Sequence, residues 1–293
     1  MDHTHPFAKT HSDAVPYYET NLPTQLQPSD WQCCPSQPTI SGSSPYETFD
    51  IHYCHSTIGR AVPSGAYKVV RLRDAWSAEG DSQICQIATL EEDDDEQPTW
   101  RQRPEPPVLT CWCSGCTATV NGVLYFMDRG GGRYGYYKHP GPSGWNHIAS
   151  FDLESEEWRL MINCPPPIRH AKKEDSWEIT LAELKGALCM VQTVRARECY
   201  TNIWRLVDSQ RSVWVKEGSI PMTQSWGFLK ALEIFEDGRI LMLSAFDKEE
   251  EQRSARSCVL QLYDPSKETL TDVMEMTEEF RGPLTLYPGS LLS

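Results

Sequence analysis

The densest group of metal-ligating side chains is Cys111-Trp112-Cys113-Ser114-Gly115-Cys116. A structural zinc site takes four Cys or His ligands, commonly in spaced pairs. Only three thiols stand here, and no second Cys pair or His pair follows at a finger-like distance. The sequence therefore favours thiols at the edge of a strand hairpin over a metal. His52, Cys54 and His55 could add ligands in space, but they read as a solvated loop. His3, His5 and His11 lie in a polar leader where no functional metal site is expected. Neither a metal nor a cofactor is expected.

Other chemistry fares no better. Gly130-Gly131-Gly132-Arg133-Tyr134-Gly135-Tyr136-Tyr137 follows a strand, as a phosphate cradle would. What comes next is Pro140-Gly141-Pro142 rather than a helix N-terminus, which excludes nucleotide binding there. Arg133, Tyr134, Tyr136, Tyr137 and Trp145 are instead residue types that dominate protein interfaces, so this stretch is the candidate partner-binding loop. The acidic run Glu91-Glu92-Asp93-Asp94-Asp95-Glu96 and the stretch Lys248-Glu249-Glu250-Glu251 read as solvated connections between strands. The chain has no Gly-x-Ser-x-Gly nucleophile elbow, and no pair of carboxylates stands out for acid–base work. A non-catalytic protein is expected. The alternatives are a hydrolase or carbohydrate-acting propeller, whose carboxylates would converge at a central channel, and a truncated, non-functional fragment.

The elements that must position these residues repeat. Asp152, Asp208 and Asp264 are spaced by 56 residues, and each closes a short apolar run. Six residues further on stand Trp158, Trp214 and Leu270. Upstream of these, Asn121-Gly122, Lys185-Gly186 and Asp237-Gly238 each separate two apolar runs, as tight hairpin turns do. A fourth, weaker copy begins at Ser64-Gly65. Each unit reads strand, Gly turn, apolar strand, variable loop, strand ending in Asp, turn, strand carrying Trp or Leu. The apolar strand is hydrophobic at nearly every position, as in a strand covered on both faces. Repeats of about 50 residues read as β-propeller blades of four antiparallel strands. In this reading Asp152, Asp208 and Asp264 are turn residues, since one carboxylate can accept the N–H groups of the turn that follows. Trp158 and Trp214 fill space between sheets. The variable loops, about 74–83, 128–147, 192–202 and 244–257, should share one face, where recognition tends to sit.

Composition narrows the partners. The 293 residues carry 27 Lys and Arg against 41 Asp and Glu, a formal charge of −14, which argues against a nucleic-acid surface. No stretch approaches the ~20 apolar residues of a membrane span. The eleven cysteines are irregularly spaced and the N-terminus lacks an apolar signal core, so a cytoplasmic or nuclear protein is expected. Residues 1–45 are rich in Pro, Ser, Thr and Gln and predict a disordered leader; residues 46–293 predict the folded domain.

Tyr67-Lys68-Val69-Val70-Arg71-Leu72, Val120-Asn121-Gly122-Val123-Leu124-Tyr125-Phe126, and Ile148-Ala149-Ser150-Phe151-Asp152 followed by Trp158 resemble the F-box-associated domain of plant F-box proteins, in its type 3, grass form. The ending Tyr287-Pro288-Gly289-Ser290-Leu291-Leu292-Ser293 is similar to that family's short closing strand. The resemblance implies a propeller or kelch-like module that selects protein substrates for ubiquitination. In that family an N-terminal F-box docks on the Skp adaptor of a cullin–RING (SCF-type) ligase. Here Leu22-Pro23-Thr24-Gln25-Leu26 opens as an F-box would, but Pro28, Pro35 and Pro38 forbid a continuous helix. The F-box is therefore expected to be missing, through a truncated gene model, a splice form or a stand-alone propeller. A Skp partner is expected only where a longer form supplies an F-box.

Overall fold

The computed structural model describes residues 54–77, 80–90, 99–111, 115–129, 146–166, 176–195, 199–222, 228–247 and 256–276. The described residues form four antiparallel sheets whose strands lie side by side in chain order. Sheet 1 holds β1 (Cys54–Arg60), β2 (Tyr67–Ser77), β3 (Gly80–Leu90) and β4 (Arg101–Arg103). Sheet 2 holds β5 (Thr117–Val120), β6 (Val123–Met127), β7 (His147–Asp152) and β8 (Glu157–Trp158), with β9 (Ile162–Asn163) also paired to β7. Sheet 3 is β10 (Ser176–Leu184), β11 (Ala187–Arg195), β12 (Cys199–Asp208) and β13 (Val213–Met222). Sheet 4 is β14 (Phe228–Ile234), β15 (Ile240–Asp247), β16 (Arg256–Asp264) and β17 (Thr269–Met276). No helix among the described residues is long and apolar enough to cross a membrane.

The core lies between sheets rather than within one. Val70, Leu72, Cys85 and Ile87 of sheet 1 pack against Leu124, Phe126, Phe151 and Leu153 of sheet 2. Met127, Ile148 and Ile162 of sheet 2 meet Ile179, Leu181, Leu188 and Met190 of sheet 3. Leu184, Cys189, Val191 and Ile203 of sheet 3 meet Leu229, Ala231, Ile240 and Met242 of sheet 4. Second strands are therefore covered on both sides: β6 is buried at four of its five positions. The first strands of neighbouring sheets approach one another, β5 against β10 and β10 against β14. First strands inward and fourth strands outward is the radial arrangement of propeller blades.

The 56-residue motif is read out in these seams. Trp158 packs edge-on against Phe151, with centroids 5.0 Å apart, in the seam between sheets 1 and 2. Trp214 occupies the next seam and Leu270 the one after. Both indoles also donate backward across their seams. Trp158 Nε1 reaches the Pro104 carbonyl at 2.8 Å, and Trp214 Nε1 the Asn163 carbonyl at 2.8 Å.

The connections differ from the sequence reading in extent. Strands β2 and β3 pair through Ser77↔Gly80, so residues 74–77 and 80–83 are strand where a loop was expected. Strands likewise extend into the expected loops at 192–202 and 244–257, because paired backbone satisfies its own N–H and C=O groups. Cys54 and His55 belong to β1 rather than to a solvated loop. Cys111 and Cys116 are buried in the seam between sheets 2 and 3, together with Cys164, rather than lying at a hairpin edge. Cysteine packs there as a small hydrophobe.

Candidate functional site

Each sheet connects its first to second strand, and its third to fourth, at one end; the remaining connections leave from the other end. Apart from the ten residues between β3 and β4, the first end carries short turns, some of which touch across seams. Asn121 and Gly122 have φ of 48° and 76°, and Lys185 and Gly186 have 52° and 73°, two left-handed residues per turn as a type I′ hairpin requires. Asp237-Gly238 turns differently. Only Gly238 has positive φ, its N–H donates to the Phe235 carbonyl, and Phe235 N–H donates to Arg239. Asp237 accepts the Arg239 N–H at 3.0 Å. Between sheets, Asn121 Nδ2 donates to the Gly186 carbonyl at 3.1 Å, and Ser64 Oγ donates to Glu154 at 2.6 Å.

The repeated aspartates all work at this turn end. Asp152 Oδ1 accepts from the N–H groups of Glu154 and Ser155 at 2.8 and 3.0 Å, and Oδ2 pairs with Arg159. Asp208 accepts the Arg211 N–H at 3.0 Å. Asp264 accepts the Ser266 N–H at 3.0 Å and its hydroxyl at 2.6 Å, and pairs with Lys267. Hydrogen bonds from Ser266 and Lys267 hold the Asp264 carboxyl at about 2. Four residues after each Asp, the turn closes on a left-handed residue: Glu156, Ser212 and Glu268, with φ of 58°, 54° and 52°. That second 56-residue series escaped sequence reading because a serine interrupts the two glutamates and none of the three is a residue type that marks a left-handed turn position.

Glu156 has a further role. Its carboxylate accepts from Lys68 Nζ at 2.9 Å, Arg101 Nη2 at 2.7 Å and Arg103 Nε at 2.8 Å, tying sheet 2 to sheet 1. Burial by itself would raise this carboxyl, but the three cationic donors outweigh it and hold the group at about 2.

At the opposite end, the root of the candidate loop is fixed by a buried polar network. Arg129 stands two residues after the end of β6. Its Nη1 pairs with Asp74 at 2.7 Å and its Nη2 faces Asp81 at 3.8 Å. Asp74 also accepts from Gln83 Nε2 at 2.8 Å, and Gln83 Oε1 accepts the Thr110 N–H at 2.7 Å. Thr110 bridges to Asp128, whose carboxylate lies 3.4 Å from His147 Nδ1. Arg129 N–H donates to the Leu109 carbonyl at 2.7 Å. Sheet 1 thus holds the point where chain 130–145 departs, and Asp128 with His147 flanks its exit and return. Arg133, Tyr134, Tyr136, Tyr137 and Trp145 themselves fall outside the described residues, as do Cys113, His52 and both acidic runs.

Reactive groups are quiet where they are described. Burial pushes the Cys85 and Cys189 thiols up to about 12, far from a nucleophilic thiolate. Among the described residues no three His, Cys, Asp or Glu side chains are grouped to hold a metal.

Four radial antiparallel sheets with seam-filling aromatics define a repeat scaffold of the propeller class. A family model for the F-box associated beta propeller domain matches residues 55–281, and the chain belongs to that family. Comparison with curated proteins returned no match.

Proposed function

We propose that this protein is a non-catalytic protein-recognition module that binds its partner through the end of the sheets from which the 130–145 connection leaves. In a form that includes an F-box, it would serve as the substrate-binding part of an SCF-type ubiquitin ligase receptor, in the cytoplasm or nucleus. The observation that carries the reading is the difference between the two ends. At one end, seven of the eight strand connections span two to six residues, the exception being the ten between β3 and β4, and the first turns bond across seams. The other end anchors the root of the 130–145 connection through Arg129, Asp74 and Gln83. A rigid scaffold that fixes the root of an aromatic, arginine-bearing segment is suited to partner binding.

A glycosidase of the two-carboxylate kind would need one carboxyl held protonated at neutral pH. The carboxyls of Asp152, Glu156, Asp237 and Asp264 are held toward the ionised form instead. The test is affinity capture with the full chain beside a variant carrying Ala at Arg133, Tyr134, Tyr136, Tyr137 and Trp145. Partners captured by the parent and lost by the variant support the proposal. Capture of the same partners by both overturns it. Purified Skp adaptor, added separately, is expected not to bind this chain.

A further inference from the structure

The outer rim of the seam between sheets 1 and 2 carries cations that the connection end does not use. Lys68, Arg101 and Arg103 converge on the single carboxylate of Glu156. The Lys68 side chain is 10% exposed, and its ammonium also donates to the Leu153 carbonyl at 2.6 Å. Arg101 and Arg103 remain 38% and 32% exposed at the edge of β4. The turn does not require this cluster, because Ser212 and Glu268 close the equivalent turns in sheets 3 and 4.

Charge balance is the informative point. Among the described ion pairs, three cations meet the one carboxylate of Glu156, which leaves two positive charges in excess at that contact. The described acids of sheet 1, Asp74 and Asp81, lie toward the other end of the strands, facing Arg129. On the rim, Glu154 accepts from Ser64, and Asp152 is held by Arg159. This excess stands out in a chain of formal charge −14.

We infer that the exposed side of Arg101 and Arg103, backed by Lys68, binds a phosphate monoester dianion. Such a group carries about −1.5 to −2 at neutral pH, which matches the excess, and its oxygens suit planar guanidinium forks. Glu156 stays in place and holds the three cations, so little side-chain ordering remains to be done on binding. The acidic run Glu91–Glu96 precedes Arg101 in the sequence and would act as a competitor in cis.

The test is calorimetric titration of the full chain, and of a variant with residues 91–96 neutralised, with inorganic phosphate and with a phosphoserine peptide beside its unphosphorylated form. Binding of the phosphorylated probes, weakened about tenfold or more in Arg101→Gln and less in Arg101→Lys, is the expected result. The exposed control Arg211→Gln should leave it unchanged. Phosphopeptide binding far tighter than phosphate would assign the site to a modified protein segment; equal binding would assign it to free phosphate esters. Absence of binding in both the full chain and the neutralised variant overturns the inference. So does uptake that Arg101→Gln leaves unaltered, which would mark an adventitious ion only. Circular dichroism of each variant separates loss of binding from loss of fold.

Discussion

Glu156 concentrates several roles in one side chain: a left-handed turn residue, an ionic tie between sheets, and the centre of a cation cluster. Its carboxyl lies near 4.5 when free and at about 2 in the fold. A depressed acid contributes stability that is fully present above its unfolded value and is lost as pH falls through its folded value. Thermal unfolding of the parent should therefore weaken between about pH 4.5 and pH 2 more steeply than that of Glu156→Gln. At neutral pH the substitution should cost about 2–3 kcal/mol, because it strips a charged acceptor from three donors. Equal pH slopes for the two proteins would show that the cluster does not couple to folding. Glycines allow a second residue-scale comparison. Gly122 and Gly186 both sit at positive φ, but a Cβ on Gly122 would lie 2.9 Å from the Val62 backbone nitrogen, whereas one on Gly186 meets nothing within 4 Å. Both Ala variants carry left-handed strain of about 1–2 kcal/mol, and Gly122→Ala should cost at least about 1 kcal/mol more. Urea unfolding that ranks them the other way would contradict the contact between the first turns of sheets 1 and 2.

At the scale of elements, the outer strands act as straps across the seams. Trp158 and Trp214 each fill a seam and donate to a carbonyl of the preceding sheet; Leu270 fills its seam without a donor. Replacing either Trp by Phe should cost about 1 kcal/mol for the lost hydrogen bond, while Ala should cost about 3–5 kcal/mol. Chemical denaturation giving equal losses for Phe and Ala would show that ring packing in the seam contributes nothing. These straps were legible in the sequence because the Asp turn is local chemistry and the aromatic follows at a fixed offset. Sheet 1 was only weakly legible for the same reason. Its first turn spans Ala61–Ala66 without an Asn-Gly pair, and ten residues separate β3 from β4. The four-residue Asp turn, and with it the 56-residue period, is therefore absent there. Non-local features left no sequence signal: Arg129 reaches Asp74 across 55 residues, and Lys68 reaches Glu156 across 88. Arg129 belongs to no recognisable motif, and Lys68, although inside the Tyr67–Leu72 stretch, carries no sign of its distant partner.

For the whole molecule, the two ends of the sheets set the division of labour. Seven of the eight connections at the turn end are short, and the longest within-sheet connection leaves from the other end, where Arg129, Asp128 and His147 frame it. A family of scaffolds can change partners by changing such connections without disturbing the seams beneath them. Amide hydrogen exchange of the full chain, free and bound to a captured partner, tests this most directly. New protection is predicted within 129–147 and the connections around 196–198 and 248–255. The turns at 61–66, 121–122 and 153–156 should be unchanged. Protection confined to those turns, with the connection end unaffected, would contradict recognition through that end.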